Sequence, residues 1–432
     1  MIDRELAEKI AACVKCGSCR AVCTLYPERR TEVNVARGKI ALLESAMAGE
    51  VGLPACGAIP LGEERDAAVR EALADCLLCG RCERNCPNQV AVEEILVAGR
   101  TRFADKLGLP VWKRILFDEV LPSARALNAV RAAGNAAQHL LRKMPTESGL
   151  HYRFPDVAGL HGRTLPALPP IGFVASLGKD EARAGEVMLF PGCVFDLVMP
   201  EIGRDSYETL KAAWGEVTVS RDAACCGLPA LASGDRAGAM KAISKNLVAM
   251  RAAAPRSIVF PCGSCLKMFR RDLLNVIPTD HPLRDAAEWV AERCVDYATS
   301  ILDSPLVRIL VPAPAAFGAG SVGWHDPCHL SGTLGRGEAG RELLERAVGR
   351  GFGEMKGTDR CCGYGGTFNA RDYPTSARIG ENKISLAIQG GTSTIVTACS
   401  GCILQLRDMA ARVSRQTRVR HLAQVVRGLL PA

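Results

Sequence analysis

The chain has 432 residues, 48% of them hydrophobic and 23% charged, the balance of a soluble globular protein of two to four domains. Its formal charge of +8 is small for that length, and no basic stretch carries interleaved aromatics, so nucleic acid is not an expected partner. No apolar run is long enough to span a bilayer, and the start, Met1 to Leu6, lacks the basic and apolar regions of a secretory signal. Twenty cysteines in such a chain do not read as a disulfide framework. Metal or cluster ligation is the economical reading, in the cytosol or on the inner face of the cytoplasmic membrane.

Residues 1 to 12 read as a short helix leading into Cys13-x-x-Cys16-x-x-Cys19-x-x-x-Cys23. Val35 to Met47 is again helical, with Ile40, Leu42 and Leu43 on its apolar face. A Gly/Pro-rich turn follows, holding Cys56, which reads as a packing thiol rather than a further ligand. Asp66 to Leu78 predicts a helix entering the second run, Cys76-x-x-Cys79-x-x-Cys82-x-x-x-Cys86-Pro87, and Val92 to Lys106 a helix leaving it. One such run alone leaves zinc open, although zinc usually takes its ligands as two separated pairs. Two copies predict two 4Fe–4S clusters with crossed ligation, because the fourth cysteine of this spacing serves the neighbouring cluster. Cys13, Cys16, Cys19 and Cys86 would hold one, and Cys76, Cys79, Cys82 and Cys23 the other. The fifty residues between the runs favour a helical two-cluster ferredoxin over residues 1–100.

Residues 101–185 carry no cysteine and read as a helical connector and linker. From Thr101 to Lys143 eight basic and three acidic residues are mixed with Trp112, Ile115, Leu116, Phe117, Val120 and Leu121. Such a segment suits a membrane surface or a partner helix, or a connector packed across the ferredoxin domain. Pro145 to Ala182, with Pro166, Pro169, Pro170 and Gly172, reads as linker.

The remainder is a repeat, expected as α/β domains over 186–310 and 320–432. Cys193, Cys225-Cys226-Gly227 and Cys262-x-x-Cys265 recur as Cys328, Cys361-Cys362-Gly363 and Cys399-x-x-Cys402, at offsets of 135, 136, 136, 137 and 137 residues. Apolar runs at Val187 to Phe190, Ser257 to Phe260, Val322 to Trp324 and Thr394 to Val396 predict strands. Arg204 to Trp214, Ala237 to Arg251, Glu338 to Val348 and Ser376 to Ile388 have helical periodicity. The alternation predicts parallel sheets with the cysteines at strand C-terminal ends, next to helix N-termini whose partial positive charge favours thiolate. Five thiols per repeat exceed what a cubane needs, and adjacent cysteines suit an opened cluster, or a cluster plus a redox-active thiol. A metal-free packing cluster is the alternative. His325 and His329, around Cys328, suit iron ligation or proton relay, or simply backbone hydrogen bonding. Cys294, in a helical run from Asp285 to Tyr297, reads as packing. Gly318-Ala-Gly320-Ser-Val-Gly323 fits a dinucleotide fingerprint formally but precedes its strand and opens no helix, so no flavin or nicotinamide site is expected in this chain.

The Cys…Cys-Cys-Gly…Cys-x-x-Cys repeat behind a double ferredoxin run resembles the cysteine-rich CCG domains of glycolate oxidase and D-lactate dehydrogenase iron–sulfur subunits, and of the related anaerobic glycerol-3-phosphate dehydrogenase and heterodisulfide reductase subunits. Phe190-Pro191-Gly192-Cys193, Asp326-Pro327-Cys328-His329 and Cys361-Cys362-Gly363-Tyr364-Gly365-Gly366-Thr367-Phe368 are similar to the glycolate and lactate branch. The resemblance implies an electron-transfer subunit that is not catalytic alone. It would stand between an FAD-containing dehydrogenase subunit and a membrane quinone, cytochrome or other carrier, with one or two further clusters on the repeat cysteines. Both five-cysteine sets are complete, as in the heterodisulfide reductase family with its noncubane clusters. That implies the alternative of disulfide reduction at such a cluster.

Overall fold

The computed structural model describes residues 2–48, 62–157, 159–178, 185–312 and 321–430; Cys56 and the glycines of the 318–320 segment lie outside them. The N-terminal part is helical: Ile2–Ala11, Ala36–Ala48, Glu63–Ala74 and Val92–Leu107 surround a core of Leu6, Ile10, Ile40, Leu43, Leu73 and Ile95. Acidic first turns, Glu63, Glu64 and Asp66 in one helix and Glu93 and Glu94 in another, complement the helix dipoles.

The connector packs on the first repeat, with Lys113 facing Glu71 of the ferredoxin segment. It is helical at Val111–Ile115 and Ala124–Ala137, and between them Phe117 and Leu121 turn into the core of the first repeat. The Leu121 carbonyl accepts from the Cys225 amide at 3.0 Å, and Lys241 pairs with Asp118 at 2.7 Å. Apolar side chains thus seat the connector on the first repeat and leave Val111, Trp112 and Ile115 exposed. The stretch read as linker holds a small antiparallel sheet, β1 (Arg142–Thr146), β2 (Gly149–Arg153) and β3 (Thr164–Pro166). Its prolines sit where no ladder N–H is missed, at the edge or the strand end.

Two parallel sheets follow. In the first, β4 (Val187–Leu189), β5 (Val217–Val219), β6 (Ser257–Phe260) and β7 (Cys294–Asp296) lie in the order β5-β4-β6-β7. In the second, β8 (Ser321–Trp324), β9 (Thr392–Thr397) and β10 (Arg418–His421) lie in the order β10-β9-β8. The central strands β4, β6 and β9 are buried on both faces, as in parallel sheets covered by helices, while the edge strands β5, β7 and β10 alternate buried and half-buried residues. The counterpart of β5 survives only as an isolated parallel bridge between Val322 and Phe352. The helices Pro200–Trp214, Arg236–Ala253, Gly337–Val348 and Tyr373–Gln389 stand where their periodicity predicts them. The helix Arg284–Arg293 stops before Cys294, which opens β7 instead of continuing the helix; its buried thiol donates to the Val290 carbonyl at 3.1 Å, a packing role.

Candidate metal centres

The two ferredoxin-type runs fold alike because their backbones share two left-handed positions. Lys15 and Leu78, two residues after the first cysteine, have φ of 57° and 49°, and Gly17 and Gly80, just after the second, have 89° and 67°. Non-glycine residues hold such angles only when surroundings enforce them, and the reversals turn amides inward, as Leu78 N–H to Cys76 Sγ at 3.4 Å shows. The runs are laced together by Arg81 Nε to the Val22 carbonyl at 3.1 Å and Asn85 Nδ2 to the Ser18 carbonyl at 3.1 Å. One cavity is lined by Cys23, Cys76, Cys79 and Cys82, and a second by Cys13, Cys16, Cys19 and Cys86 with Cys82 between them. Burial pushes the Cys23 thiol up to about 11, with Cys76 and Cys79 adding to the rise.

In each repeat five sulfurs converge. Cys193 and Cys225 lie 3.7 Å apart, and Cys226 is within hydrogen-bond reach of Cys225 and Cys265. Cys362 and Cys402 lie 3.5 Å apart, and Cys361 is within reach of Cys328. Hydrogen bonds from Cys225 and then Cys265 bring Cys226 down to about 6, and those from Cys361 and Cys402 bring Cys362 well below the usual thiol range. Sulfurs this crowded cannot all carry protons or charge independently, and iron bound among them would resolve the conflict. All-sulfur donor sets of this kind fit iron–sulfur clusters.

The Cys-Cys-Gly turns are closed by glycine for a definite reason. Gly363 has φ of 89°, and a Cβ there would meet the Ser376 carbonyl oxygen at 2.7 Å; at Gly227, with φ of 84°, the nearest atom is the Ala239 carbonyl oxygen at 3.0 Å. Gly363→Ala is expected to cost about 1–3 kcal/mol, and Gly227→Ala less, in anaerobic denaturant unfolding. Equivalent buried helix residues pin both turns. Asn246 donates to the Cys225 carbonyl at 2.9 Å, while Lys383, lowered to about 8 by burial, donates to the carbonyls of Gly357, Thr358 and Arg360 at 2.6, 2.9 and 3.0 Å.

The two sets meet. Cys262 and Cys399 are within hydrogen-bond reach of each other. Ser400 Oγ lies 3.1 Å from Cys262 Sγ, and Ser264 Oγ lies 3.2 Å from Cys399 Sγ, so each CxxC turn lends its serine to the other's cysteine. The second set also meets the ferredoxin segment, for Cys79 is raised well above the usual thiol range chiefly by its hydrogen bond with Cys361. Leu25, Leu77, Phe368 and Ile379 seal that junction. Arg81 at 2.8 Å from the Asp359 carbonyl and Arg371 at 3.0 Å from Asp75 clamp it. The four cysteine groups therefore form one unbroken series: the Cys13 group, the Cys76 group, the second repeat, the first repeat.

His329 takes the structural option. Its Nδ1 is 2.9 Å from Ser264 Oγ and its Nε2 3.2 Å from the Leu78 carbonyl, so it ties the CxxC turn to the ferredoxin loop. His325 is different: it is buried, and neither ring nitrogen has a hydrogen-bond partner among the described residues. Burial, with Lys383 nearby, holds it neutral.

His421 carries no motif that sequence reading detects. Its Nδ1 accepts from the Ala423 amide at 3.0 Å, capping the last helix, so its Nε2–H donates to the Pro261 carbonyl at 2.8 Å, next to Cys262. Burial holds this imidazole down at about 4. The unfolded chain, with the ordinary histidine value near 6.5, takes up that proton first, so His421 is expected to contribute a fall in stability of roughly 3 kcal/mol as pH drops from about 6.5 towards about 4, alongside the buried His151 and His325. Denaturant unfolding across that range measures the slope, and His421→Gln is expected to flatten it. Ser264 and Ser400 were likewise unassigned, although both lie inside the CxxC spacings.

Residues 9–90 match the 4Fe-4S dicluster domain, and residues 187–270 and 322–407 match the cysteine-rich CCG domain. The chain is similar to the probable glycolate oxidase iron-sulfur subunit of Bacillus subtilis (strain 168), 26% identical over 438 residues, covering 96% of this chain and 92% of that protein. It is also similar to lactate utilization protein A of Bacillus thuringiensis (strain Al Hakam), 28% identical over 241 residues, covering 56% of this chain and 98% of that protein. Lactate utilization protein A 2 of Bacillus anthracis (strain CDC 684 / NRRL 3495) matches to the same extent. Among the described residues, no helix is long and apolar enough to cross a membrane.

Proposed function

Since the chain is an iron–sulfur protein with a 4Fe-4S dicluster domain and two cysteine-rich CCG domains, we propose that it is the electron-transfer subunit of a flavin-dependent 2-hydroxy-acid dehydrogenase acting on glycolate or lactate. The observation that carries this reading is the unbroken series of cysteine groups, from Cys193 through the Cys262–Cys399 meeting point and the Cys361–Cys79 junction to Cys16. We assign Cys13, Cys16, Cys19 and Cys86 to one 4Fe–4S cluster, and Cys76, Cys79, Cys82 and Cys23 to the other. One or two further clusters would be held by Cys193, Cys225, Cys226, Cys262 and Cys265, and by Cys328, Cys361, Cys362, Cys399 and Cys402. Clusters bound there would supply one-electron redox chemistry.

The chain's own residues do the rest. The apolar junction around Leu77 and Phe368 excludes water, and the Ser400 hydroxyl can donate to the Cys262 sulfur, stabilising added negative charge, while the Ser264 hydroxyl is engaged by His329 Nδ1. The substrate's hydride acceptor, FAD, is assigned to a partner subunit, and the terminal acceptor to a quinone, cytochrome or other carrier at the inner face of the membrane. The matching domain units are the ferredoxin segment 1–100, the connector 101–185, and CCG domains over 186–310 and 320–432.

Anaerobic purification from the native host tests this. A stoichiometric flavoprotein, with cluster reduction on adding lactate or glycolate, is the expected result. A preparation without flavin that reduces a disulfide would instead establish the chain as a disulfide reductase working at a noncubane cluster. The completeness of both cysteine sets favours that second reading; the burial of eight of their ten cysteines opposes it.

A further inference from the structure

The two CCG domains are not chemically equivalent. Among the described residues, His325, Cys362 and Cys402 place one donor atom each within 4.8 Å of one another, all three buried. Counting back by the 135-residue offset that relates Cys328 to Cys193, the position of His325 in the first domain is Phe190. There the phenyl ring packs against Phe260 and Phe269, with centroids 5.3 and 5.2 Å away. The fold thus accepts a wholly apolar residue at this position. An imidazole in its place, 1% exposed and with both nitrogens unpartnered, costs free energy unless something binds it. His329 cannot take that role, because Ser264 and Leu78 already engage both of its nitrogens.

Of the five sulfurs of this domain, two lie beside His325. Cys361 and Cys328 pair with each other, and Cys361 also meets Cys79 of the ferredoxin segment. Cys399 faces Cys262 of the first domain. Cys362 and Cys402, which also touch Cys361 and Cys399, form a close pair beside the imidazole.

We propose that His325 is an iron ligand of the second CCG domain, binding the iron shared by Cys362 and Cys402, so that this centre has a mixed thiolate–imidazole shell and the first has thiolates only. The inference rests on the reading that the CCG cysteines hold iron–sulfur clusters. A neutral imidazole brings less negative charge to a cluster than a thiolate does and raises its reduction potential. The second centre, lying between the first CCG centre and the ferredoxin cysteines in the series, is then the more readily reduced of the two CCG centres.

The test is pulsed electron paramagnetic resonance on the dithionite-reduced full chain, grown with 14N- or 15N-histidine. A strong hyperfine coupling to a directly bound nitrogen is expected, changing with the isotope, lost in His325→Phe and retained in His329→Gln. In His325→Cys, where a thiolate replaces the imidazole, one reduction potential is expected to fall. If His325→Phe does not fold, His325→Gln serves, and the isotope comparison on the unsubstituted protein stands without any variant. Only weak couplings, as from a nitrogen hydrogen-bonded to sulfur, would overturn ligation while leaving the cluster reading intact. So would a strong coupling that persists in His325→Phe. Absence of iron and acid-labile sulfide from the CCG cysteines would overturn both.

Discussion

Replacing Cys79 with serine is expected to remove about four of about eight ferredoxin-domain irons and to cut communication between the two ends of the protein. The argument is positional. Cys79 lines the cavity with Cys23, Cys76 and Cys82, and it is also the ferredoxin cysteine whose thiol meets Cys361 of the second CCG domain. Loss of its site leaves the Cys13 group intact but stranded. In the proposed complex, with a flavoprotein at the CCG end, substrate should still reduce the CCG centres, whereas the surviving ferredoxin cluster should stay oxidised; the reverse pattern would place the flavoprotein at the ferredoxin end. Cys16→Ser is the contrast. Cys16 is exposed, at the far end of the series, and its loss should leave substrate reduction of the Cys76 group untouched. Cys23→Ser tests the crossed ligation: it should abolish the same spectroscopic signal as Cys79→Ser although it sits in the other run. Loss of the Cys16 signal instead would refute the crossing.

That experiment can be designed from sequence spacing, and its interpretation cannot. The two Cys-x-x-Cys-x-x-Cys runs and the 135-to-137-residue repeat are local or periodic patterns, so the cysteine groups that the fold gathers and the strands β4, β6, β8 and β9 could be read directly from the chain. The junctions depend on which surfaces pack, and packing leaves little local trace. Cys79 and Cys361 are 282 positions apart, and nothing in either motif says that they meet. β5, β7 and β10 lack the apolar run that marks the central strands and leave no such signal: Val217–Val219 is three residues with a threonine at its centre, and Cys294–Asp296 and Arg418–His421 are short and carry charge. The antiparallel sheet of β1 to β3 was hidden by its prolines and glycines, which are strong linker signals away from the edge positions they occupy here. The asymmetry of His325 and Phe190 follows from the 135-residue offset alone. What sequence could not supply was that the imidazole has no partner.

The largest stability effect is expected at a charge cluster that no motif marks. Lys267, two residues past Cys265, is almost wholly buried; its Nζ lies 2.8 Å from Glu93 and also binds Asp272, both buried themselves. Burial works against its charge, but Glu93 and Asp272 together outweigh that and keep the ammonium protonated. Glu93 belongs to the first turn of the helix that leaves the second ferredoxin run, so this ion triad is a bolt between the ferredoxin segment and the first CCG domain. Arg271 extends it, 3.0 Å from Glu83 and 3.4 Å from Glu94. A buried ion pair is weak evidence of net stabilisation, because desolvation consumes much of the Coulombic gain; removing one partner, however, leaves charge buried without compensation. Lys267→Met should therefore destabilise the protein by about 3–5 kcal/mol in anaerobic denaturant unfolding. Proteolytic sensitivity should rise between the ferredoxin segment and the first CCG domain. The triple change Lys267→Met, Glu93→Leu and Asp272→Leu replaces the triad with apolar groups and should recover most of that loss. If the triple variant is as unstable as the single one, the cost lies in lost packing shape rather than in stranded charge, and the cluster is not the bolt described.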